Sequence, residues 1–295
     1  MSATTPGSVV IFGEVLFDHF PDGKRVLGGA PFNVAWHLQA FGQSPRFVSR
    51  VGDDAEGEQV RRAMSDWGMG TSDLQIDAGR PTGRVAVSFD NGEPHYDIVP
   101  DCAYDAIEPL QLDDCRLLYH GSLAVRSETS ASSLQRLRAQ GPQTVFIDIN
   151  LRPPWWQTVI VEDLLAGATW VKLNSDELAL LAEQPATAGG GRKFMHRYGL
   201  DGLLITHGAD GAELFTAAGE RLPVSPEENV QVVDTVGAGD AFASVMLLGL
   251  LSDWPMPVTL ERAQRFAAAV VGRRGATIAD RGFYLKFQQD WQITS

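Results

Sequence analysis

Short apolar runs and amphipathic stretches alternate along almost the whole chain. "SVVIFGEVLF" predicts a strand. "NVAWHLQAFG" predicts a helix, with Val34, Leu38 and Phe41 at i, i+4 and i+7 and a glycine stop. "PRFVSRVG" then reads as a strand and "EGEQVRRAMSDWG" as a helix. "RLLYHG", "TVFIDIN", "TWVKLN" and "GLLITHG" are strand-like, each followed by helix-compatible sequence. Alternation of this kind predicts a doubly wound α/β fold: a mainly parallel sheet with helices on both faces.

One segment departs from the rhythm. "GRVAVSFDNGEPHYDIV" alternates with period two around Asn91-Gly92, the strongest short hairpin signal. Val85, Val87 and Phe89 share one face there, with Tyr96 and Ile98 on the returning strand, so a small β-element projects from the α/β body. No repeat and no long linker divides the 295 residues, and the only low-complexity tract is "TAGGG" at 187–191, so one domain is expected.

In an open parallel sheet, ligands bind at the carboxyl ends of the strands. Polar residues cluster at several predicted strand ends: Asp18, the "DIN" of Asp148 to Asn150, Asn174, Thr206 and Asp234. One would be commonplace, but five point to a site. Composition narrows its class. With 44% hydrophobic and 21% charged residues the chain can bury a core, and a net charge of −13 argues against a nucleic-acid partner. Cys102 and Cys115 have no metal-ligand spacing and read as reduced structural thiols. The N-terminus lacks a cationic signal region, and the longest apolar stretch, Ala241 to Leu251, is too short to span a bilayer. A cytoplasmic location with no membrane contact is expected.

The densest chemical signal is "DTVGAGDAF", Asp234 to Phe242, set immediately before the apolar "FASVMLLGLL". At a strand end and helix start, Gly237, Ala238 and Gly239 lie where the first amides of the helix lack carbonyl partners. Amides and helix dipole together make an anion cradle, and small residues let a phosphate approach the backbone. Asp240 cannot bind phosphate there, but it can take a proton from a hydroxyl attacking one. The string read by itself fits equally well a glycine turn followed by an aspartate that stabilises the helix dipole.

The wider pattern resembles the ribokinase-like (PfkB) carbohydrate kinases. "DTVGAGDAF" resembles their C-terminal signature and "LGGAPFNVAWHLQAFG" their N-terminal sugar-binding signature. "GEVLFD", "VGDDAEGEQV", "DINLRPPWW", "KLNSDE", "ITHGADGAELF" and "RRGA" follow in the family's order across nearly the whole chain. "GGAPFNVA", with "FPDG" upstream, looks most like the fructokinase branch, because other branches carry lysine-glycine where this chain has Ala30-Pro31. The resemblance implies a ribokinase-like fold with a β-sheet lid formed around 14–28 and 82–104, and a homodimer paired through that lid.

It also implies roles. Asp18, Gly28, Gly29 and Asn33 match the sugar contacts; apart from the family, Asp18 would read as a turn aspartate and Asn33 as a helix cap. Asn174 and Glu177, in "KLNSDE", match the NxxE motif that holds Mg²⁺ through water, a spacing that also suits a capping box. Thr206 and Gly208 match contacts to the ATP phosphates, with His207 between them incidental. Arg152 resembles an arginine that reaches the transferred phosphate or acidic sugar groups, and its alternative is packing on Trp155 or Trp156. Adenine is placed between the loop before Val230 and the helix carrying Ala268 and Val271, which could equally be core. Asp234 and carbonyls near Gly275 match a monovalent cation site, K⁺ in the family.

The implied reaction is transfer of the γ-phosphoryl group of ATP to a sugar hydroxyl, with Asp240 as base and fructose as the expected acceptor. Kinases for 2-keto-3-deoxygluconate, ribose or a nucleoside are the alternatives; the acid would need basic residues, for which Lys24, Arg25 and Arg84 are the candidates. A dinucleotide oxidoreductase is excluded because no GxGxxG follows the first strand, and a Walker-type NTPase because no GxxxxGK[ST] occurs. A non-catalytic sugar-binding regulator would be expected to have lost Asp240.

Overall fold

The computed structural model describes residues 9–90, 93–112, 114–182, 188–227 and 230–293. The chain begins with β1 (Val9–Phe12), β2 (Leu16–His19), β3 (Arg25–Gly28), α1 (Ala30–Ala40), β4 (Arg46–Gly52), α2 (Ala55–Trp67) and β5 (Leu74–Asp77). It continues with β6 (Gly83–Asp90), β7 (Glu93–Ile98), β8 (Leu117–His120), α3 (Glu128–Arg138), β9 (Thr144–Asp148), α4 (Thr158–Ala166) and β10 (Trp170–Asn174). It ends with α5 (Ser175–Ala182), α6 (Ala188–Tyr198), β11 (Gly202–Thr206), β12 (Ala212–Thr216), β13 (Arg221–Val224), α7 (Ala238–Leu251), α8 (Met256–Val271) and α9 (Arg281–Trp291).

Among the described residues, nine strands form the large sheet in the order β13-β12-β11-β10-β9-β8-β1-β4-β5. Every pairing from β11 to β5 is parallel, and β12 and β13 add an antiparallel edge. Successive residues of a strand face opposite sides, so β1 feeds two cores. Val9 and Ile11 pack among α1, α2, α7, α8 and α9, whereas Val10 and Phe12 pack among α3, α4, α5 and α6. The expected doubly wound architecture is observed. Its helices carry the signals that the sequence shows: Asp54 caps α2 by accepting from the Gly57 amide at 2.8 Å, and Gly68 ends it in the left-handed conformation.

A second sheet has the order β3-β2-β6-β7. Its hairpin keeps the expected register, with Val85 opposite Ile98 and Val87 opposite Tyr96. Asn91-Gly92 itself lies outside the described residues, as does the N-terminal segment 1–8. Val85, Val87 and Ile98 are buried, while Phe89 and Tyr96 at the far end are more than half exposed.

Four local readings change. "SVVIFGEVLF" is two strands, because the chain leaves the large sheet at Gly13, packed so closely on Pro31 that a Cβ would collide with it. Asp18 consequently lies in the small sheet rather than at an end of the large one. "VQVVD" forms no strand: Val232 and Val233 are exposed, and the amides of Val233 and Asp234 both donate to the Val271 carbonyl. The glycines of "TAGGG" (Thr187 lies outside the described residues) sit in the first turns of α6, where Gly191 lets the helix meet Phe215 closely.

Candidate active site

Strand order reverses at β1, whose neighbours are β8 on one side and β4 on the other. The crevice at such a reversal, at the carboxyl ends of the strands, is the usual ligand site of this architecture. The chain brings the two glycine-bearing motifs there from opposite ends. Gly28 closes β3 and Gly29 stands before α1 with φ of 111°, where a Cβ would lie 2.7 Å from the Glu14 carbonyl oxygen. Only glycine fits that position. One turn on, Asn33 is buried inside α1. Its Nδ2 donates to Asp240 Oδ2 at 2.7 Å, and its Oδ1 is buried with no partner among the described residues. Asp18, on β2, is partly buried, and desolvation pushes its carboxyl up to about 6.

Helix α7 opens at Ala238, with Gly237 as its N-cap at φ of 82°. A Cβ on Gly237 would collide with Ala276, so the loop requires glycine for both conformation and space. Ala238 N donates weakly to the Thr235 carbonyl at 3.4 Å, and the head of the helix otherwise has the amide excess of any N-terminus. Asp240 lies in this first turn, half-buried. Burial pushes its carboxyl up to about 6; the Asn33 hydrogen bond opposes that shift, nearby Asp148 adds to it, and Lys172 and Arg152 oppose it. A carboxylate poised near neutrality beside amide donors can act as a base. The exposed Arg152 is thus within electrostatic reach of Asp240.

Beneath Asp240 lies a buried ion pair that the sequence reading passes over. Lys172 Nζ contacts Asp148 Oδ1 at 2.6 Å and Oδ2 at 2.8 Å, and the Tyr119 hydroxyl donates to Oδ2 at 3.2 Å. A Cβ on Gly239 would stand 3.3 Å from the same Nζ, so the lysine lies directly under the helix head. The signal was available: opposite charges occur in two otherwise apolar strands, and Lys172 and Asp148 are register partners. Glu14, in "GEVLFD", was also passed over; it is buried, and desolvation raises its carboxyl to about 7.

Asn174 and Glu177 form a reciprocal capping box. Asn174 Oδ1 accepts from Glu177 N at 2.8 Å, Glu177 Oε2 from Asn174 N at 2.9 Å, and Glu177 Oε1 from Leu151 N at 2.9 Å. Thr206 is the register partner of Asn174 on β11, and Gly208 follows with φ of 59°. His207 is engaged with Glu213, its Nε2 3.2 Å from Oε1. A cleft of about 280 Å³ is lined by Glu227, Val230, Gln231, Arg265, Ala268 and Ala269. Ala268 therefore lines the expected adenine slot; Val271 is not among its lining residues and serves the loop through its carbonyl. Asp234 accepts from Val236 N at 3.1 Å and from Gly275 N at 3.0 Å. Among the described residues no group of three or more His, Cys, Asp or Glu side chains could hold a metal.

The family model "pfkB family carbohydrate kinase" matches residues 8–281. A fructokinase from Klebsiella pneumoniae is 30% identical over 264 residues, covering 83% of this chain and 84% of the relative. An aminoimidazole riboside kinase from Salmonella typhimurium is also 30% identical, over 260 residues, covering 82% and 80%. The solved structure of an ATP-bound fructokinase from Xylella fastidiosa superposes with a TM-score of 0.84, at 24% identity over 96% of this chain and 98% of that one. Two signatures from opposite ends of the sequence meet at Asn33 and Asp240, in a chain whose match to the family is nearly end to end; this chain belongs to the pfkB family of carbohydrate kinases.

Proposed function

We propose that the protein transfers the γ-phosphoryl group of ATP to a hydroxyl of a neutral sugar, with fructose as the preferred acceptor. The observation that carries this reading is the Asn33–Asp240 pair at the head of α7, where a base and an anion-stabilising helix end occupy one place. Asp240 takes the proton of the attacking hydroxyl. Asn33, Gly28, Gly29 and Asp18 hold the sugar, with the free Asn33 Oδ1 as one acceptor. Amides at Gly237 to Gly239 take up charge on the transferred group, so catalysis is positioning plus electrostatics. Arg152 adds a cation at that point.

Nucleotide binding is assigned to Thr206, Gly208, the head of α7 and the Ala268 cleft. Asn174 and Glu177 fit a role in holding the water shell of Mg²⁺: Glu177 is a hard oxygen donor, nearly buried and fixed in place by three backbone contacts shared with Asn174. Magnesium, when bound, supplies charge neutralisation on the nucleotide phosphates. Asp234, with carbonyls near Gly275, is assigned to a monovalent cation; its two oxygens each accept a backbone amide, which fixes the carboxylate in place.

The charge arrangement of the small sheet favours a neutral acceptor. Cross-strand partners share a face, so Asp18, Val26 and Val85 stand on one side, with His19, Arg25 and Arg84 on the other. There Arg25 and Arg84 converge on buried Glu56, at 3.1 and 2.8 Å. Lys24 instead stacks over Phe20, 5.7 Å from its centroid. The three cations that the sequence offers to an acidic sugar, Lys24, Arg25 and Arg84, are therefore engaged with other side chains. The small sheet is proposed as a lid over the sugar, and exposed Phe89 and Tyr96 as the contact to a second copy. A riboside kinase is as similar as a fructokinase, so ribose and nucleosides are the competing acceptors. An ADP-release assay across fructose, ribose, 2-keto-3-deoxygluconate and adenosine tests the reading: fructose should give the highest kcat/KM. Turnover of none, with sugar binding retained, would identify a regulator instead.

A further inference from the structure

Three buried polar atoms without partners among the described residues belong to side chains near the point where strand order reverses. Glu14 follows the carboxyl end of β1; it is 4% exposed, and its Oε2 has no partner among the described residues. Tyr104 is fully buried, with its ring against Gly83 and its hydroxyl unpartnered. Arg126, whose side chain is 5% exposed, gives Nε and Nη2 to Asp105 and the Val99 carbonyl but leaves Nη1 buried and unpaired.

The three belong together in space. The Arg126 guanidinium lies 5.1 Å from the Tyr104 ring centroid and 4.5 Å from that of Trp155. A Cβ on Gly83 would meet both the Val15 carbonyl, at 2.5 Å, and the Tyr104 ring, at 2.7 Å, which sets the ring beside the residue following Glu14. Glu14 interacts electrostatically with both Arg126 and Asp240, and its Oε1 lies 4.0 Å from a Cβ built on Gly121, just past β8. Orphaned buried polar groups are costly, so three in one neighbourhood point to a bound partner that hydrogen-bonds to them.

We propose that Glu14, Tyr104 and Arg126 form a hydroxyl-binding subsite that holds groups of the acceptor sugar other than the one phosphorylated. The set is suited to a polyol: the Arg126 Nη1 donates, the Tyr104 hydroxyl does either, and Glu14 Oε2 accepts. With its carboxyl raised to about 7 by burial, Glu14 can also donate. Each hydroxyl of the sugar is both donor and acceptor, which a purely anionic or purely cationic pocket would not satisfy. The proposal rests on the kinase reading and adds to it specificity residues that read the placement of hydroxyls.

The test is steady-state kinetics of the full chain with fructose, ribose and adenosine, comparing wild type with Tyr104→Phe and Glu14→Leu. Tyr104→Phe keeps the ring packing and deletes one hydrogen bond, so KM for the best acceptor should rise about 3- to 10-fold. Glu14→Leu should raise it further, by roughly tenfold or more, as expected for a partly charged hydrogen bond. KM for ATP should stay within about twofold, a split that general loosening of the fold would not give. Single-deoxy analogues of that sugar complete a cycle: the analogue that wild type penalises should no longer be penalised by the variant. Unchanged sugar KM in both variants, or sugar and ATP KM rising in step, overturns the proposal. A lowered Tm with unchanged KM assigns the three atoms to a buried water and overturns it as well. Should Glu14→Leu fail to fold, Tyr104→Phe decides alone. If wild type turns over none of the acceptors, the kinase reading falls and takes the subsite with it; if it does and KM is unmoved, only the subsite falls.

Discussion

Asn33 and Asp240 lie 207 positions apart in the chain, and a 2.7 Å hydrogen bond from Asn33 Nδ2 to Asp240 Oδ2 joins them where α1 packs on α7. The bond favours the ionised carboxylate, against the burial that pushes it up to about 6. A base works only when ionised, so kcat/KM should fall as pH drops through about 6. Asn33→Ala removes the donor and should move that acidic limb upward by about one pH unit. A pH–rate profile measured at saturating nucleotide checks the change; a limb that stays put or moves down removes Asn33 from this role.

Asp240→Asn should lower kcat by at least about 10², the contribution of a positioned general base, while sugar and ATP still bind. Retention of more than about a tenth of wild-type turnover would take Asp240 out of the base role. The same variant should be more stable than wild type at pH 8. The native carboxyl is raised from 3.8 to about 6, so the native state binds its proton more tightly than the unfolded chain does. Its favourable contribution is full below 3.8 and is lost as pH rises through about 6. A tenfold change in proton affinity corresponds to about 1.4 kcal/mol, which makes the gain on removing the charge about 3 kcal/mol at most. Thermal unfolding at pH 8 and pH 5 should show the difference shrinking toward the acid side.

Glu177→Gln keeps an oxygen for the Asn174 amide and so should preserve the capping box that starts α5, while the Leu151 amide loses its acceptor. If the residue also holds the metal's water shell, half-saturating Mg²⁺ should rise roughly 10-fold or more with sugar KM unchanged within about twofold. Glu177→Ala should add a stability loss of about 1 kcal/mol from the lost cap. A collapse of sugar affinity with the Mg²⁺ requirement unmoved would contradict the assignment.

Elements whose burial follows from their own neighbours were legible. The parallel strands β4 and β8 to β11 are short apolar runs, and the register of the β6–β7 hairpin follows from strict alternation. What escaped depends on contacts distant in sequence. Gly13 breaks the first apolar run because Pro31 sits against it, and nothing local marks the break. Val232 and Val233 look like strand residues yet lie exposed on a loop pinned to the end of α8. The two glycine motifs named both halves of the site, but the bond between them requires α1 and α7 to pack. Lys172 and Asp148 needed only the register of two adjacent strands, so their pairing was within reach.

Gly237→Ala should fail in two ways at once. Its φ of 82° is costly for any residue with a side chain, and the new methyl would collide with Ala276. Backbone strain of this kind costs about 1–3 kcal/mol, and a movement of the loop by about 1 Å would misplace the amides at the head of α7. Turnover should fall by about 10² or more while ATP binding weakens less, and Tm should drop. Wild-type kcat in a folded Gly237→Ala protein would mean that the amides of this turn do not meet the transferred phosphoryl group.

Fructose should have a higher kcat/KM than its 1- and 6-phosphates or 2-keto-3-deoxygluconate. "GGAPFNVA" supplies no lysine beside Gly29, and a net charge of −13 supplies no general basic surface. Arg25 and Arg84 do not fill the gap, because they point away from the Asp18 face and are held by Glu56 at 3.1 and 2.8 Å. Burying a phosphate or carboxylate without cationic partners costs several kcal/mol, and about 3 kcal/mol already means rejection by about 10². Arg25→Ala and Arg84→Ala should therefore loosen the small sheet without changing the ratio of kcat/KM between fructose and the acidic sugar by more than about twofold, since neither cation is available to a substrate. A selective loss of activity toward the acidic sugar in either variant would mean that the cation turns toward the acceptor when the small sheet closes. A higher kcat/KM for any charged acceptor in wild type would remove fructose as the preferred substrate and leave the phosphoryl-transfer reading standing on Asp240.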